Sequence, residues 1–349
     1  MENKLNMLVR SLFAGIFAMF ALLALPQSAQ AAGGGEGEEF APKDMILHHV
    51  LDDYGWHITE IDGHHISIPL PMILVVDGQL DIFMSSAFHH APDGIHTTAL
   101  GSYKLDHGHV VETNGKSVFD LSITKNVASM MLATVLLFAI FLPVASAYKK
   151  NPNAAPKGAQ NLLETLVKFV VDDIMIPNIG EKKYKKYVPF VMTIFFFVWA
   201  NNLLGLIPTG ANASGNISFT LTLAFFTLIV TNLSGSKDYW GHIFWTPGVP
   251  LPLRAIMLPV EVLGIFTKPF ALMIRLFANI TAGHIIILSL ISLIFLFKNA
   301  MLGLAVGPAV IALTMLELFV AALQAYIFSM LSALYIGLAL EEHHHDEHH

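Results

Sequence analysis

Four ionisable side chains stand inside one almost wholly apolar run, residues 254–298: Glu261, Lys268, Arg275 and His284. A charged group at the centre of a membrane helix costs about 2.5–3.5 kcal/mol on insertion scales. A chain that keeps four such groups is expected to line a watery or protein-filled path with them. Their spacing is regular. Glu261, Lys268 and Arg275 recur every seven residues, and Asn279 follows Arg275 by four. A seven-residue step on a helix drifts by only about 20°, so these groups share one polar stripe. Gly264, Ala271 and Ala278 repeat the interval on a neighbouring stripe, where small residues let another helix come close in lipid. Lys268 also reads as a side chain snorkelling to an interface. Arg275, with apolar sequence well to either side, fits that less well.

Residues 300–340 supply partners. The segment is apolar except for Glu317 and Gln324, again seven apart. If it runs antiparallel to 254–298, one register brings His284 level with Glu317 and Arg275 level with Gln324, within about 3 Å of axial slip. A lone histidine in an apolar helix is usually a satisfied core residue, but two polar pairs falling level together point to a coupled site. Histidine and glutamate exchange protons near neutral pH, each perturbing the other. Arginine stays protonated. Along the helix Arg275 is about 13 Å from His284 and about 21 Å from Glu261. The chemistry this allows is two proton-accepting regions separated by a permanent cation.

Composition fixes the class of molecule that must hold these groups. Of the 349 residues, 54% are hydrophobic and 13% charged, with 25 Phe, and mean hydropathy is +0.61. Soluble domains carry about a quarter charged residues, so this is an integral membrane protein. With no cysteine, disulfides and thiolate chemistry are excluded.

From the start, residues 1–31 read as a secretory signal peptide, with Lys4 and Arg10, an apolar run over 12–25 and Ala29-Gln30-Ala31 as a cleavage site; a retained anchor is the alternative. Residues 32–126 are polar and expected to form a β-rich periplasmic domain, with turns at Asp77-Gly78 and Asn114-Gly115. This region holds ten of the seventeen histidines, but adjacent histidines on a strand face opposite ways, and no metal site is assigned. The fold class is an all-α polytopic membrane protein of about five crossing helices. Spans are expected at 127–148, 187–208 and 217–234, followed by the two long segments 254–298 and 300–340. Residues 149–186 form a cytoplasmic stretch with an amphipathic interfacial helix over 160–179. Each long segment spans about 60 Å as helix, twice the apolar thickness, and is therefore either steeply tilted or a hairpin. Lysines 149, 150, 157, 168 and the four of 182–186 gather on one side, which the positive-inside rule makes cytoplasmic. The tail 341–349 then lies inside and residues 32–126 outside a bacterial inner membrane.

The run LMIRLFANITAGH, Glu261 fourteen residues before its arginine, and the later ELFVAALQAYIF resemble subunit a of the F-type ATP synthase. NNLLGLIP at 201–208, NISFTLTLAF at 216–225 and the helix with Gln160 and Glu164 are similar to that family as well. The resemblance covers roughly residues 118–340. It implies that Arg275 faces a carboxylate of the rotating c-ring and separates two half-channels. Asn279, His284, Glu317 and Gln324 would line the periplasmic half-channel, and Glu261 would serve the cytoplasmic one. It also implies that the long segments are single tilted helices curved along the rotor. Expected partners are the c-ring, subunit b of the peripheral stalk, the whole complex and the bilayer, with no nucleic acid. No cofactor is expected, and the absence of a G-x-x-x-x-G-K-[ST] loop leaves nucleotide chemistry to other subunits. Many family members carry Glu at the position of His284 and His at that of Glu317. Here the order is exchanged, which keeps the acid–base pair.

Two other classes compete with this reading. A self-contained transporter would bind an anionic solute at Arg275 and show internal repeats. An intramembrane hydrolase would need a nucleophile or metal motif, and neither HExxH nor GxSxG is present. The periplasmic domain is expected to contribute nothing to the helix stripes, so that removing most of 44–116 spares conduction.

Overall fold

The computed structural model describes residues 51–341 apart from 62–63, 92–93, 107, 151–154, 208–209, 246–249 and 298–299. The segments expected as a signal peptide and as the first part of a periplasmic domain, and the His-rich tail, therefore lie outside the described residues.

Residues 55–120 form three small antiparallel sheets. β1 (Gly55–Ile61) pairs with β2 (His64–Pro69). β3 (Pro71–Val76) lies between β4 (Gln79–Met84) and the late strand β8 (Val118–Asp120). The third sheet orders β5 (Ile95–Thr97), β6 (Ser102–Asp106) and β7 (His109–Glu112). The β3–β4 hairpin turns on Asp77 and Gly78, whose φ values of 51° and 79° are the left-handed ones a two-residue type I′ turn demands. Alternation along β3 buries Met72, Leu74 and Val76 against Phe88, Tyr103 and Val110. Two phenols anchor carboxylates at the core's rim: the Tyr54 hydroxyl donates to Asp120 at 2.5 Å and that of Tyr103 to Asp81 at 2.9 Å. Among the described residues no group of three or more metal-ligating side chains comes together.

The membrane part begins with α1 (Lys125–Lys150). α2 (Ala159–Phe169) follows, then a π-helical turn at Val170–Met175 and the short α3 (Ile176–Ile179). The stretch expected as one interfacial helix is thus divided. The wider turn sends Val170, Ile174 and Met175 wholly into the core, while α2 keeps its polar side with a Glu164–Lys168 ion pair at 2.6 Å. α4 (Val188–Gly205), α5 (Ile217–Leu233) and α6 (Lys237–Phe244) precede the two long helices, α7 (Leu251–Phe297) and α8 (Ala300–Leu340). Among the described residues four helices are long and apolar enough to cross a membrane, and a fifth span results if α5 and α6, bent by 103°, count as one.

The choice between hairpin and tilted helix resolves in favour of the helix. Pro259, Pro269 and Pro308 lie inside α7 and α8 without ending either one. Each proline forfeits one ladder bond, whereas a turn in hydrocarbon would expose several backbone groups at once. α7, with 47 residues, is about 70 Å long, so it must run obliquely through an apolar layer of about 30 Å.

α8 is the central helix. Its Ala321, Ala325, Ser329, Ser332 and Ala333 are fully buried, and side chains this small let α4, α5 and α7 pack close around it. Two ends of the bundle are defined by contacts. At one, Ser129 on α1 donates to the Ala211 carbonyl, near the start of α5. At the other, Lys183 donates to the Leu340 carbonyl at 3.0 Å and the Ser236 N–H to that of Ala339 at 2.8 Å. The β-sheet domain adjoins the first end and the lysine cluster the second.

Candidate functional site

At Gly283, α7 faces Glu317 of α8 without a side chain of its own. A Cβ on Gly283 would lie 3.0 Å from Glu317 Oε1, so glycine is what lets the α8 carboxylate reach the α7 backbone. Glu317 Oε1 then stands 3.5 Å from His284 Nδ1, with the two side chains only 5% and 12% exposed. That is ion-pair distance, though long for a hydrogen bond. The register continues along the interface. Sixteen residues back from His284 and eighteen on from Glu317, the Lys268 ammonium lies 5.8 Å from the Tyr335 ring centroid.

Arg275 and Asn279 are elsewhere on α7. Both are exposed, together with Ala271, Ala278 and Ala282, while Leu272, Met273, Leu276 and Ile280 form the packed side. Arg275 makes no ion pair or hydrogen bond among the described residues. The expected meeting of Arg275 with Gln324 is not a bond: Gln324 is buried on α8 at 4% exposure. The reason is azimuth. Nine residues separate His284 from Arg275, and nine steps of about 100° bring the second to the opposite side of the helix. From that azimuth only a long side chain reaches back to α8, as Lys268 does on the same stripe. Glu261 is half-buried, two turns before Lys268 on the same stripe.

Polar groups collect on both sides of this centre. Towards the β-sheet end, Asn202 of α4 donates to the Ala321 carbonyl at 3.0 Å and accepts from Ser214 Oγ at 2.5 Å. Gly215 packs against Thr281, where a Cβ would lie 3.4 Å from Thr281 Oγ1. Asn201 Oδ1, Asn212 Nδ2 and Thr281 Oγ1 are buried with no hydrogen-bond partner among the described residues. Atoms of this kind are ordinarily met by water. Towards the lysine end, Thr227, Thr231, Asn232, Tyr239, Lys268 and Tyr335 are the polar lining of a cavity of about 20 Å³, room for one water.

A membrane helix pair with a buried His–Glu couple and an arginine on its open face is the arrangement to set beside known proteins. Residues 127–337 match the family model described as ATP synthase A chain, well over half of the chain. The chain belongs to the ATP synthase A chain family. Among its relatives, "ATP synthase subunit a 2" of Chlorobaculum tepidum is 43% identical over 91% of this chain and 78% of its own length. "ATP synthase subunit a 2" of Prosthecochloris aestuarii is 47% identical over 91% and 86%. "ATP synthase subunit a" of Anaeromyxobacter sp. is 39% identical over 93% and 77%. Residues 45–130 match a second family, described as a domain of unknown function.

Within the ATP synthase A chain match fall the six residues expected to serve the two half-channels, Glu261, Arg275, Asn279, His284, Glu317 and Gln324. Sequence reasoning gave no role to Asn202, Ser214 and Thr281. The Asn201-Asn202 pair near the end of a span was the available signal, because two adjacent amides in an apolar helix demand partners. Thr281 and Ser214 carry no such signal, since hydroxyls in membrane helices commonly satisfy themselves on the carbonyl four residues back.

Proposed function

We propose that this chain is the proton-conducting stator subunit a of an F-type ATP synthase in a bacterial inner membrane, with its β-sheet domain periplasmic and its C-terminus cytoplasmic. It has no catalytic centre for nucleotide chemistry and works in a complex with the c-ring and subunit b. Protons from the periplasm reach the buried His284–Glu317 pair through a half-channel that also uses Asn279 and Gln324. They pass to a carboxylate of the c-ring at the exposed face of α7. After rotation they leave past Glu261 to the cytoplasm. Arg275, always charged, attracts the deprotonated rotor carboxylate and bars a direct proton leak between the two half-channels.

The observation that carries this reading is the division of α7: a buried titratable pair on one side, and on the other an arginine exposed among alanines. An exposed arginine in apolar surroundings calls for an anionic partner from outside the chain, and the alanines leave room for that partner's helix.

The test is Arg275→Lys alongside Arg275→Ala in the assembled complex. The alanine variant is expected to abolish ATP-driven pumping and gradient-driven synthesis with the subunit still in the membrane. The lysine variant is expected to fail nearly as fully, because an ammonium can deprotonate and lacks the planar fork. Normal coupled pumping with Arg275→Lys would refute the separator role.

A further inference from the structure

Just before β1, the Asp52 carboxylate reaches two of the membrane helices. Asp52 Oδ1 accepts the Asn126 N–H at the start of α1 at 3.2 Å, and Asp52 Oδ2 lies 3.5 Å from Asn216 Nδ2 at the start of α5. Asn216 in turn caps α5 by accepting the Ser218 N–H at 2.8 Å. The residues just before it run inward. Asn212 is 9% exposed with its amide nitrogen unpartnered among the described residues. Ser214 is fully buried on Asn202, and Gly215 sits against Thr281, three residues before His284. From Asp52 to the His284–Glu317 pair there is thus a series of polar groups, several of them buried and two, Asn212 Nδ2 and Thr281 Oγ1, without a hydrogen-bond partner among the described residues.

We infer that Asp52 is the outer mouth of the proton path, so that the β-sheet domain, through this residue, serves proton entry. The inference rests on the reading of His284 and Glu317 as the end of that path. Its physical content is local charge. Asp53 is adjacent and Lys125 is the nearby cation, its N–H donating to the Asp53 carbonyl at 2.8 Å. The Tyr54 hydroxyl is engaged by Asp120. Residues 211–218 bring no charged side chain. Among the described residues two carboxylates stand against one ammonium here, a negative balance that raises the local proton concentration. A single charge about 7 Å away in water changes that concentration about two- to threefold.

The experiment uses the assembled complex in vesicles with the periplasmic side inward. ATP synthesis is driven at fixed membrane potential while the lumen is varied from about pH 5.5 to about pH 8. Asp52→Asn keeps an acceptor for the Asn126 N–H and removes the charge. It is expected to raise the half-saturating proton concentration about two- to threefold, with the maximal rate at low pH unchanged, and Asp52→Glu is expected to restore the profile. An unchanged profile in Asp52→Asn would overturn the inference. An equal loss at every pH with less assembled complex would overturn it too, by making Asp52 a brace. Glu317→Gln is measured in parallel. If it leaves synthesis intact, the reading of the inner pair fails; if it stops synthesis while Asp52→Asn does nothing, only the mouth falls.

Discussion

Gly283→Ala tests the His284–Glu317 pair without touching either residue. The new Cβ would stand 3.0 Å from Glu317 Oε1, 3.3 Å from its Cδ and 3.6 Å from its Cγ. The carboxylate must withdraw by a few tenths of an ångström to reach ordinary contact. Starting from 3.5 Å, a withdrawal of about 0.4 Å weakens the charge interaction by about 0.5 kcal/mol at an effective dielectric of about 20, about a factor of two. Helix propensity acts the other way, since alanine in a helix interior is better than glycine by about 0.5–1 kcal/mol. The variant should therefore assemble at wild-type levels or better and pump protons about half as fast. Gly283→Val, with two methyl groups in the same space, should pump more slowly still. Gly303→Ala is the control, because a Cβ there meets only Ile294 Cδ1 at 4.0 Å, and it should change nothing. The assay is ATP-driven quenching of a pH-sensitive dye in inverted vesicles, normalised to assembled complex on native gels. Wild-type pumping by both Gly283 variants would refute the idea that this separation governs proton transfer.

Exchanging the pair, His284→Glu with Glu317→His, should recover more proton flux than either single exchange, since each single exchange sets like groups against each other; a flux equal to the product of the two single losses would mean that the residues act independently. Glu261→Gln should slow flux without uncoupling it, with the defect shrinking in acid, and vesicle flux measured across pH checks this. In the β-sheet domain, the Lys116 N–H, together with Asn114, holds the Glu112 carboxyl below the usual glutamate range. A lowered folded value means stability that is complete above the unfolded value of about 4.3 and lost as pH falls through the folded one. Protection factors of the amides over residues 112–116, referred to the intrinsic exchange rate at each pH, should fall in acid, and Glu112→Gln should already show the lower protection at neutral pH.

The membrane part was legible because lipid forces simple patterns on sequence. Long apolar runs mark helices, and two of the ionisable residues within them, His284 and Glu317, come together as their register requires. The Asp-Gly hairpin was legible for a similarly local reason, the left-handed φ values that only a few residues accept. What escaped was azimuth and tertiary contact. Axial register alone places Arg275 by Gln324, but the half-turn between Arg275 and His284 sends the arginine to the open face. The π-helical turn at 170–175 has no local signature in VVDDIM, and it draws into the core a segment whose polar spacing reads as interfacial. Asp52 was invisible as a site residue, because a carboxylate in a polar domain is ordinary until the fold sets it on Asn126 and Asn216. Those contacts also remove the premise that residues 44–116 stand apart from the helices. A deletion that takes Asp52 with it removes a cap from α1 and a contact to α5.

The half-turn on α7 bears on how the proposed proton path closes. His284, Thr281, Ala278 and Arg275 follow one another at intervals of three, each step winding about 60° and rising about 4.5 Å. The row starts at the buried pair and ends at the exposed arginine. Its second member is a buried hydroxyl without a protein partner among the described residues. Its third is an exposed alanine that can neither give nor take a proton. The gap at Ala278 is therefore chemical rather than steric. Water and Thr281 can bring a proton round the helix to its edge, but the next titratable group must come from another chain. On the proposed function that group is the rotor carboxylate, drawn by Arg275 one turn further on. Conduction by the subunit without its ring would be interrupted at this point. A side chain at 278 able to relay protons would open the leak that the fixed charge of Arg275 opposes.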